Sequence, residues 1–471
     1  MTAPPLVETT TDPDLDVVPP PAPAGYDLMQ HRVVARLLRS RWWPQVLQVP
    51  AAAVFGLVAY QLLTGPSSAH DNAGTALMWV IWWPLLPILF VVLGRVWCTI
   101  CPFGWLSDQV QRLVGVERPV PRFLKRYGIW VIDAQFLLIT WADHVWGVVA
   151  SPWGSGMVLL LLTTAVIASG AFLQRRAFCR YLCFLGGLSG NYARTGAVAL
   201  RADPEICATC TSRAACYNGT DTTPACPLFT FPRTMEDSAD CNLCASCIKS
   251  CPNDAIQIQV RPPSSELWHL RTPRLEASFL AAAIMGIVLI QNLTMLSVWP
   301  DVLDAIGRTT GITASAAVFT MAFAVAVAVP VGLVALASHW AAGRNLESTV
   351  VNFARFGFAL IPLDIAGHIA HNLFHLLSEG KAAVMTVLGL VGVDGSTTSP
   401  GVASTGTIQV LQYALIALGT AASLYAARRM AHGRYRSAAR RRSTVLPYAA
   451  VIAVLAVLNA WMFALPMAHR I

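Results

Sequence analysis

Twelve cysteines carry the chemistry that this sequence is equipped to do, and they fall in three groups with none left over. The densest group is Cys241-x2-Cys244-x2-Cys247-x3-Cys251, closed by Pro252. That run is the bacterial ferredoxin pattern for a [4Fe–4S] cluster, and in two-cluster ferredoxins its fourth cysteine ligates the other cluster. A partner run lies upstream, Cys207-x2-Cys210-x5-Cys216-x9-Cys226-Pro227, with the same opening and the same closing Cys-Pro but longer gaps. A cubane needs four thiolates around it. Three closely spaced cysteines wrap one side, and a fourth must arrive from elsewhere. The predicted ligand sets are therefore crossed: Cys207, Cys210, Cys216 and Cys251 for one cluster, and Cys226, Cys241, Cys244 and Cys247 for the other. Zinc usually takes paired Cys-x2-Cys knuckles instead of a four-cysteine run closed by proline. A disulfide framework is disfavoured in a segment facing the cytoplasm.

The other four cysteines sit in "WCTICPFG" (Cys98, Cys101) and "FCRYLCFLGG" (Cys179, Cys183). Each pair follows an apolar run and is followed by glycine. Four thiolates at one membrane face can hold a further metal or cluster, or cycle as redox dithiols. Inert thiols buried at helix ends are the plain alternative. Two paired motifs favour a redox or metal role, with the species left open.

The elements that must position these cysteines are membrane helices. The chain has 471 residues, 55% of them hydrophobic and only 12% charged, with a mean hydropathy of +0.55. Soluble domains carry about twice that charge. Nine runs are long and apolar enough to span: roughly 44–64, 74–94, 127–149, 154–173, 276–298, 314–338, 351–377, 407–427 and 446–466. The third contains Asp133 and fits least well. "KAAVMTVLGLVGV" from Lys381 is too short to span and reads as interfacial. Arg and Lys concentrate before the first span and after the second, fourth and eighth, while the alternate loops are poor in them. By the positive-inside rule the N-terminus lies inside and the C-terminus outside. The formal net charge of +8 is then a topology signal, and no basic tract interleaved with aromatics suggests nucleic acid.

The fold class expected is thus an α-helical polytopic membrane protein with an inserted α+β ferredoxin domain. Residues 1–28, acidic and proline-rich, read as a disordered tail. Residues 29–43 alternate Arg with Val and Leu and read as a basic helix on an anionic membrane surface. A four-span unit covers 44–173. The cytoplasmic segment is 174–275, with the ferredoxin domain at about 200–262 and "DAIQIQV" as a strand. A five-span unit covers 276–471.

One span carries its own polar pattern. Asp364, His368, His371 and His375 recur at spacings that place them on one helix face. Ionisable groups within a membrane are costly and usually face a functional interior. Four readings stay open: axial ligation of haem b with a partner helix, a metal ion, proton exchange with a quinol, or an interhelical hydrogen-bond network. Asp133, Gln135, Gln409 and Gln412 are weaker polar signals and read as structural.

A span ending "RVWCTICPFG", a second ending "RRAFCRYLCFLG", and a twin-cluster ferredoxin after them resemble the NosR/NapH/CcoG-type membrane polyferredoxins over roughly residues 74–262. The usual span-end motif of that family is Cys-x3-Cys-Pro. Here the first is Cys-x2-Cys-Pro and the second is Cys-x3-Cys followed by Phe184. The resemblance implies inner-membrane electron transfer, tied to quinol oxidation or to maturation of a metalloenzyme. The expected function is electron passage between a cytoplasmic ferredoxin- or flavodoxin-like protein, or the quinone pool, and an acceptor in or beyond the membrane, within a respiratory or photosynthetic complex. A redox-dependent assembly or regulatory factor for a respiratory metalloenzyme is the second reading. No nucleotide-binding glycine loop or nucleophile elbow is present to suggest chemistry of another kind.

Overall fold

The computed structural model describes residues 25–212, 214–393 and 401–467, so the greater part of the expected tail lies outside the described residues. After α1 (Arg32–Arg39) come α2 (Gln45–Thr64) and α3 (Trp83–Leu93), the latter entered through a π-helical stretch, Ala76–Trp82. Short α4 (Trp97–Ile100) leads to α5 (Pro102–Val114), followed by α6 (Arg122–Trp146) and α7 (Pro152–Phe172). Short α8 (Ala177–Tyr181) leads to α9 (Phe184–Ala193). Beyond the cysteine-rich insert lie α10 (Leu275–Thr294), α11 (Ser315–Asn345), α12 (Ile361–Gly389), α13 (Thr405–His432) and α14 (Ala438–Ala464).

Eight stretches are long and apolar enough to cross a membrane. The expected third span is present as α6, but it is not among them: it opens with Arg122, Lys125 and Arg126 and carries Asp133 and Asp143. Its course is set by its neighbours. The amides of Val116 and Arg118 donate to the carbonyls of Ala171 and Phe172, pinning the start of α6 beside the end of α7. From there α6 returns the chain to Ser151, which caps the opposite end of α7. The segment from Lys381 is not a separate interfacial piece. It continues α12 to Gly389, since nothing in "KAAVMTVLG" breaks a helix.

Burial divides the helices. In α10 and α12 more than four-fifths of the apolar window is covered by protein, whereas α2, α11 and α13 leave most of theirs facing outward. A helix that is apolar all round can sit in a bundle core, and small residues let such helices close up. At Gly286 of α10 a Cβ would come within 2.5 Å of the Val327 backbone of α11. Polar side chains lock the interior: Asn292 donates to Asn459 at 3.0 Å, and Gln412 donates to the Ala370 carbonyl at 3.0 Å. Gln409 donates to the Phe463 carbonyl at 2.7 Å.

The insert forms a three-stranded antiparallel sheet of order β1-β3-β2, with β1 (Tyr26–Asp27), β2 (Val198–Ala202) and β3 (Ile256–Val260). The strand expected in "DAIQIQV" is β3, pairing Val198↔Val260 through Ala202↔Ile256. Tyr26 and Asp27, which composition assigns to the tail, pair with Val260 and Gln259 as an edge strand. In α1, Val33 and Leu37 are exposed while Leu38 turns inward. Leu38 joins Trp43, Leu200, Leu243, Ile248, Ile256 and Ile258 in one core, and Arg39 pairs with Asp254 at 2.9 Å. The N-terminal segment is therefore packed against the insert. Periodicity made α1 amphipathic but could not say which apolar surface it would cover.

Candidate iron-sulfur site

The two span-end motifs fold alike. Each first cysteine sits in a one-turn helix, Cys98 in α4 and Cys179 in α8. Each second cysteine stands at the cap of a longer helix, Cys101 before α5 and Cys183 before α9. The Cys101 thiol lies against the backbone N–H groups of Phe103 and Gly104, and the Cys183 thiol against that of Gly186. A helix N-terminus offers unpaired N–H donors and a partial positive charge, which favour a thiolate or an iron-bound sulfur. The charges of all four thiols act on one another, so the fold brings both pairs to one place. Burial pushes the Cys179 thiol up to about 11, against the pull of the Arg176 guanidinium.

An arginine stands three residues before each first cysteine, and a glycine three residues after each second one: Arg95 and Gly104, Arg176 and Gly186. Their packing is reciprocal. A Cβ on Gly104 would lie 3.2 Å from Arg176 Nη1. One on Gly186 would lie 2.7 Å from the Cys179 carbonyl oxygen and 3.4 Å from Arg95 Nη2. Each motif thus needs glycine where the other motif's arginine and its own first cysteine's carbonyl pass. Both arginines are buried. Arg95 Nε donates to Cys98 Sγ at 3.4 Å. Arg176 grips Asp108 at 2.7 and 3.0 Å and donates to the Cys98 carbonyl at 3.3 Å. Its own backbone is left-handed, with φ +47°, a conformation that costs a non-glycine residue about 1–2 kcal/mol.

The insert is fastened directly onto this site. Arg95 also donates to the Ala239 carbonyl, and Thr99 Oγ1 to the Asn242 carbonyl, so the turn before α4 and α4 itself hold the two sides of Cys241. Within the insert the thiols act on one another in two sets. Cys207, Cys210, Cys216 and Cys251 form one, and Cys226, Cys241, Cys244 and Cys247 the other, with Cys216 also felt at Cys247. Burial raises the Cys241 thiol to about 12, and the charges of Cys244 and Cys226 reinforce it. Cys226 is raised by burial too, then by Cys244. Metal binding at such thiols must release protons.

These residues fit iron-sulfur clusters. All twelve sulfurs are free thiols. N–H donors aim at several of them: Thr230 N to Cys226 at 3.4 Å, Leu243 N to Cys241 at 3.5 Å, Ala255 N to Cys251 at 3.3 Å, and Asn253 Nδ2 to Cys210 at 3.3 Å. Hydrogen bonds to sulfur are one of the means by which a protein tunes a cluster. Among the described residues no three His, Cys, Asp or Glu side chains are placed to hold a single ion.

The polar face of α12 is buried, with Asp364, His368, His371 and His375 each no more than 3% exposed. Three of the four have protein partners. His368 Nδ1 meets Tyr192 Oη at 3.1 Å, His371 Nδ1 meets Asn292 Oδ1 at 3.0 Å, and His375 Nδ1 lies 3.5 Å from Glu379. Both Asp364 carboxylate oxygens lack a hydrogen-bond partner, as do both of Asp133. As packed, His368 is flanked by Tyr192 and Trp83. Arg95, Arg176, Thr99 and Tyr192 went unread as site residues in the sequence. The equal spacing of the two arginines from their cysteines was the signal available for the first two.

Two stretches, residues 75–121 and 155–201, match the same family, described as a 4Fe-4S binding domain. The matches fall on the span-end motifs, not on the eight cysteines of the insert, and cover about a fifth of the chain. The chain is 26% identical over 229 residues to "Putative electron transport protein YccM" of Escherichia coli (strain K12), covering 43% of this chain and 60% of that one. It is also 26% identical over 175 residues to an uncharacterized protein, MJ0749, of Methanocaldococcus jannaschii, covering 36% of this chain and 66% of that one. The chain thus spans a little under two-thirds of the length of these curated relatives. No solved structure matches. Together, a doubly matched 4Fe-4S domain, similarity to an electron transport protein, and eight membrane-length apolar helices support iron-sulfur electron transfer in a membrane setting.

Proposed function

We propose that this protein is a membrane-bound electron relay of three iron-sulfur centres in series. One is held by Cys98, Cys101, Cys179 and Cys183 at the span ends. The next is held by Cys226, Cys241, Cys244 and Cys247, and the third by Cys207, Cys210, Cys216 and Cys251. When bound, the clusters supply one-electron transfer. The chain's own residues fix the order: Arg95 and Thr99 tie the Cys98 turn to the Cys241 loop, so the Cys226/Cys241 set is the neighbour of the span ends. That contact is the observation carrying the reading. The Cys207 set lies beyond it, toward solvent, since its helix Pro204–Thr209 has no buried residue.

Beside Cys179 a cavity of about 270 Å³ is ringed by Arg95, Lys125, Arg126, Arg180, Arg194 and Arg274, against Asp240 and Glu276. Such a surplus suits an acidic cytoplasmic partner of the ferredoxin or flavodoxin kind. With α6 taken as the ninth pass, the basic loops put the insert on the cytoplasmic face and the C-terminus outside.

The test is iron and acid-labile sulfide analysis with low-temperature EPR on anaerobically purified full-length protein. We expect three separable reduced signals. Absence of any reducible [4Fe–4S] signal overturns the relay, and two signals unaffected by Cys98→Ser remove the span-end centre.

A further inference from the structure

The cationic cavity beside Cys179 also has an apolar side. Its wall starts at Lys125 and Arg126, in the first turn of α6, and continues along that helix to Ile129 and Ile132, with Leu280 of α10 facing them. A space of about 270 Å³ is one that a folded protein can cover at the rim but cannot fill. Its occupant is a smaller body, anionic at one end and apolar at the other.

The charges in the wall are only partly matched. Arg274 pairs with Asp240 at 3.0 Å, Arg194 pairs with Asp237 at 2.8 Å, and Arg95 donates to Cys98 Sγ. Lys125, Arg126 and Arg180 have no carboxylate at ion-pair distance among the described residues. Glu276 stands in the same wall and offsets one of the three, which leaves a positive surplus. Arg180 is held in place without being neutralised. Its guanidinium lies 4.2 Å from the Phe229 ring centre and donates to Tyr181 Oη at 2.7 Å.

The surroundings place this cavity at a membrane boundary. The wall uses the first two turns of α10, a helix of membrane length. On the outer side of α6, next to the cavity, Tyr127 and Trp130 are exposed, and the Trp130 ring lies 5.1 Å from that of Phe279 in α10. Exposed Tyr and Trp at the end of a membrane helix mark the head-group level. Basic pockets between membrane helices on the cytoplasmic side are binding places for anionic lipid head groups. Arginine grips a phosphate through two N–H groups, and lysine meets it as a point charge.

We infer that this cavity binds the head group of an anionic phospholipid, with the phosphodiester at Lys125, Arg126 and Arg180 and the glyceride end against Ile129, Ile132 and Leu280. The site goes beyond the relay and requires no cluster. The lipid fills the space between α6, α9 and α10, and the outer rim stays open to a protein partner.

The test is equilibrium binding of phosphatidylglycerol to the full-length protein in detergent, read by native mass spectrometry, against phosphatidylcholine with the same acyl chains. Both lipids carry the phosphodiester, but the choline cation would meet the cationic ring. Phosphatidylglycerol should bind at least about fivefold more tightly. Lys125→Gln, Arg126→Gln and Arg180→Gln should each weaken it about 3–5-fold, the value of one basic residue near an anionic lipid, and leave phosphatidylcholine unchanged. Arg428→Gln, at an exposed position near the end of α13, should leave both unchanged. Equal binding of the two lipids by the unmodified protein overturns the inference, whether or not the variants fold. A loss in Arg428→Gln as large as in Arg180→Gln overturns it too, because the attraction is then spread over the surface. Displacement of the lipid by an equal concentration of inorganic phosphate would make this a site for a free anion, and displacement by a small acidic ferredoxin would give it to the protein partner; either result refutes the lipid. Iron and sulfide are measured on the same samples, so a lipid preference in iron-free protein leaves this site standing while the relay fails, and intact clusters without the preference do the reverse.

Discussion

Replacing Arg95 by Gln removes a buried positive charge from the span-end site, and with it the Nη1 donor to the Ala239 carbonyl, because the amide ends where Arg95 Nε stood. Arg95 Nε lies 3.4 Å from Cys98 Sγ, so its charge sits on the order of 6 Å from the middle of a group held by four sulfurs. At an effective dielectric of about 20, a unit charge at that distance is worth roughly 3 kcal/mol. For a one-electron couple, with 1.4 kcal/mol equal to about 59 mV, this is roughly 120 mV. The cationic cavity beside Cys179 admits water and Arg176 stays in place, so the expected shift is on the order of 50–100 mV. Its sign is negative, because reduction adds an electron that the lost charge had favoured. The assay is an EPR-monitored redox titration of anaerobic membranes. Arg95→Lys, which keeps the charge, should move the potential by less than half as much. A span-end signal that titrates with the unmodified protein in Arg95→Gln would refute the placement. So would an equal shift in the signal that disappears on Cys207→Ser.

Other expectations follow from single contacts. Cys251→Ser should first abolish the signal that is also lost in Cys207→Ser, and Cys226→Ser the one lost in Cys241→Ser; EPR of the four variants checks the pairing, and the opposite grouping undoes it. Gly186→Ala would place a methyl 2.7 Å from the Cys179 carbonyl, whereas at Gly190 the nearest atom is 3.6 Å away. The first should cost the span-end signal alone and the second should be silent, measured as iron per protein and signal amplitude. Burial works to raise the Asp237 carboxyl, but the Arg194 guanidinium at 2.8 Å outweighs it, so the group sits below its ordinary range. Its contribution is complete above about pH 4 and fades as pH falls through the lowered value. Thermal melts from pH 7 to 3 should therefore show a shallower acid decline in Asp237→Asn, from a lower starting stability.

The cysteines announced themselves because cluster ligation needs fixed residue types at short spacings, and hydropathy announced most of the helices because a bilayer imposes length. What stayed hidden was partnership. The Arg-Val-Leu alternation of α1 fits a membrane surface as well as a ferredoxin core, and only the fold sets Leu38 against Ile256 and Ile258. The expected third span is the helix α6, whose charges keep it out of the membrane-length apolar set, and its course depends on hydrogen bonds from Val116 and Arg118 to the far end of α7. The reciprocal arginines were visible as a spacing. Their exchange across the two motifs was not, because it depends on how α5 and α9 face each other.

The His face of α12 gains a different meaning from these contacts. Four aligned ionisable groups inside a membrane point toward a cofactor when seen alone. In the fold, His368 meets Tyr192 and His371 meets Asn292, which itself donates to Asn459. Tyr192 lies at the end of α9, the helix that begins at Cys183. Asn191 and Arg194, on either side of it, bond to the Ala277 carbonyl and to Asp237 of the insert, so the hydroxyl of Tyr192 ties the insert-side end of this helix to α12. A buried hydrogen bond of this kind contributes only about 1 kcal/mol, yet an unmade one costs more, which makes it better at fixing position than at adding stability. The polar face of α12 is thus joined through α9 to the helix that Cys183 caps, by the contact of His368 with Tyr192.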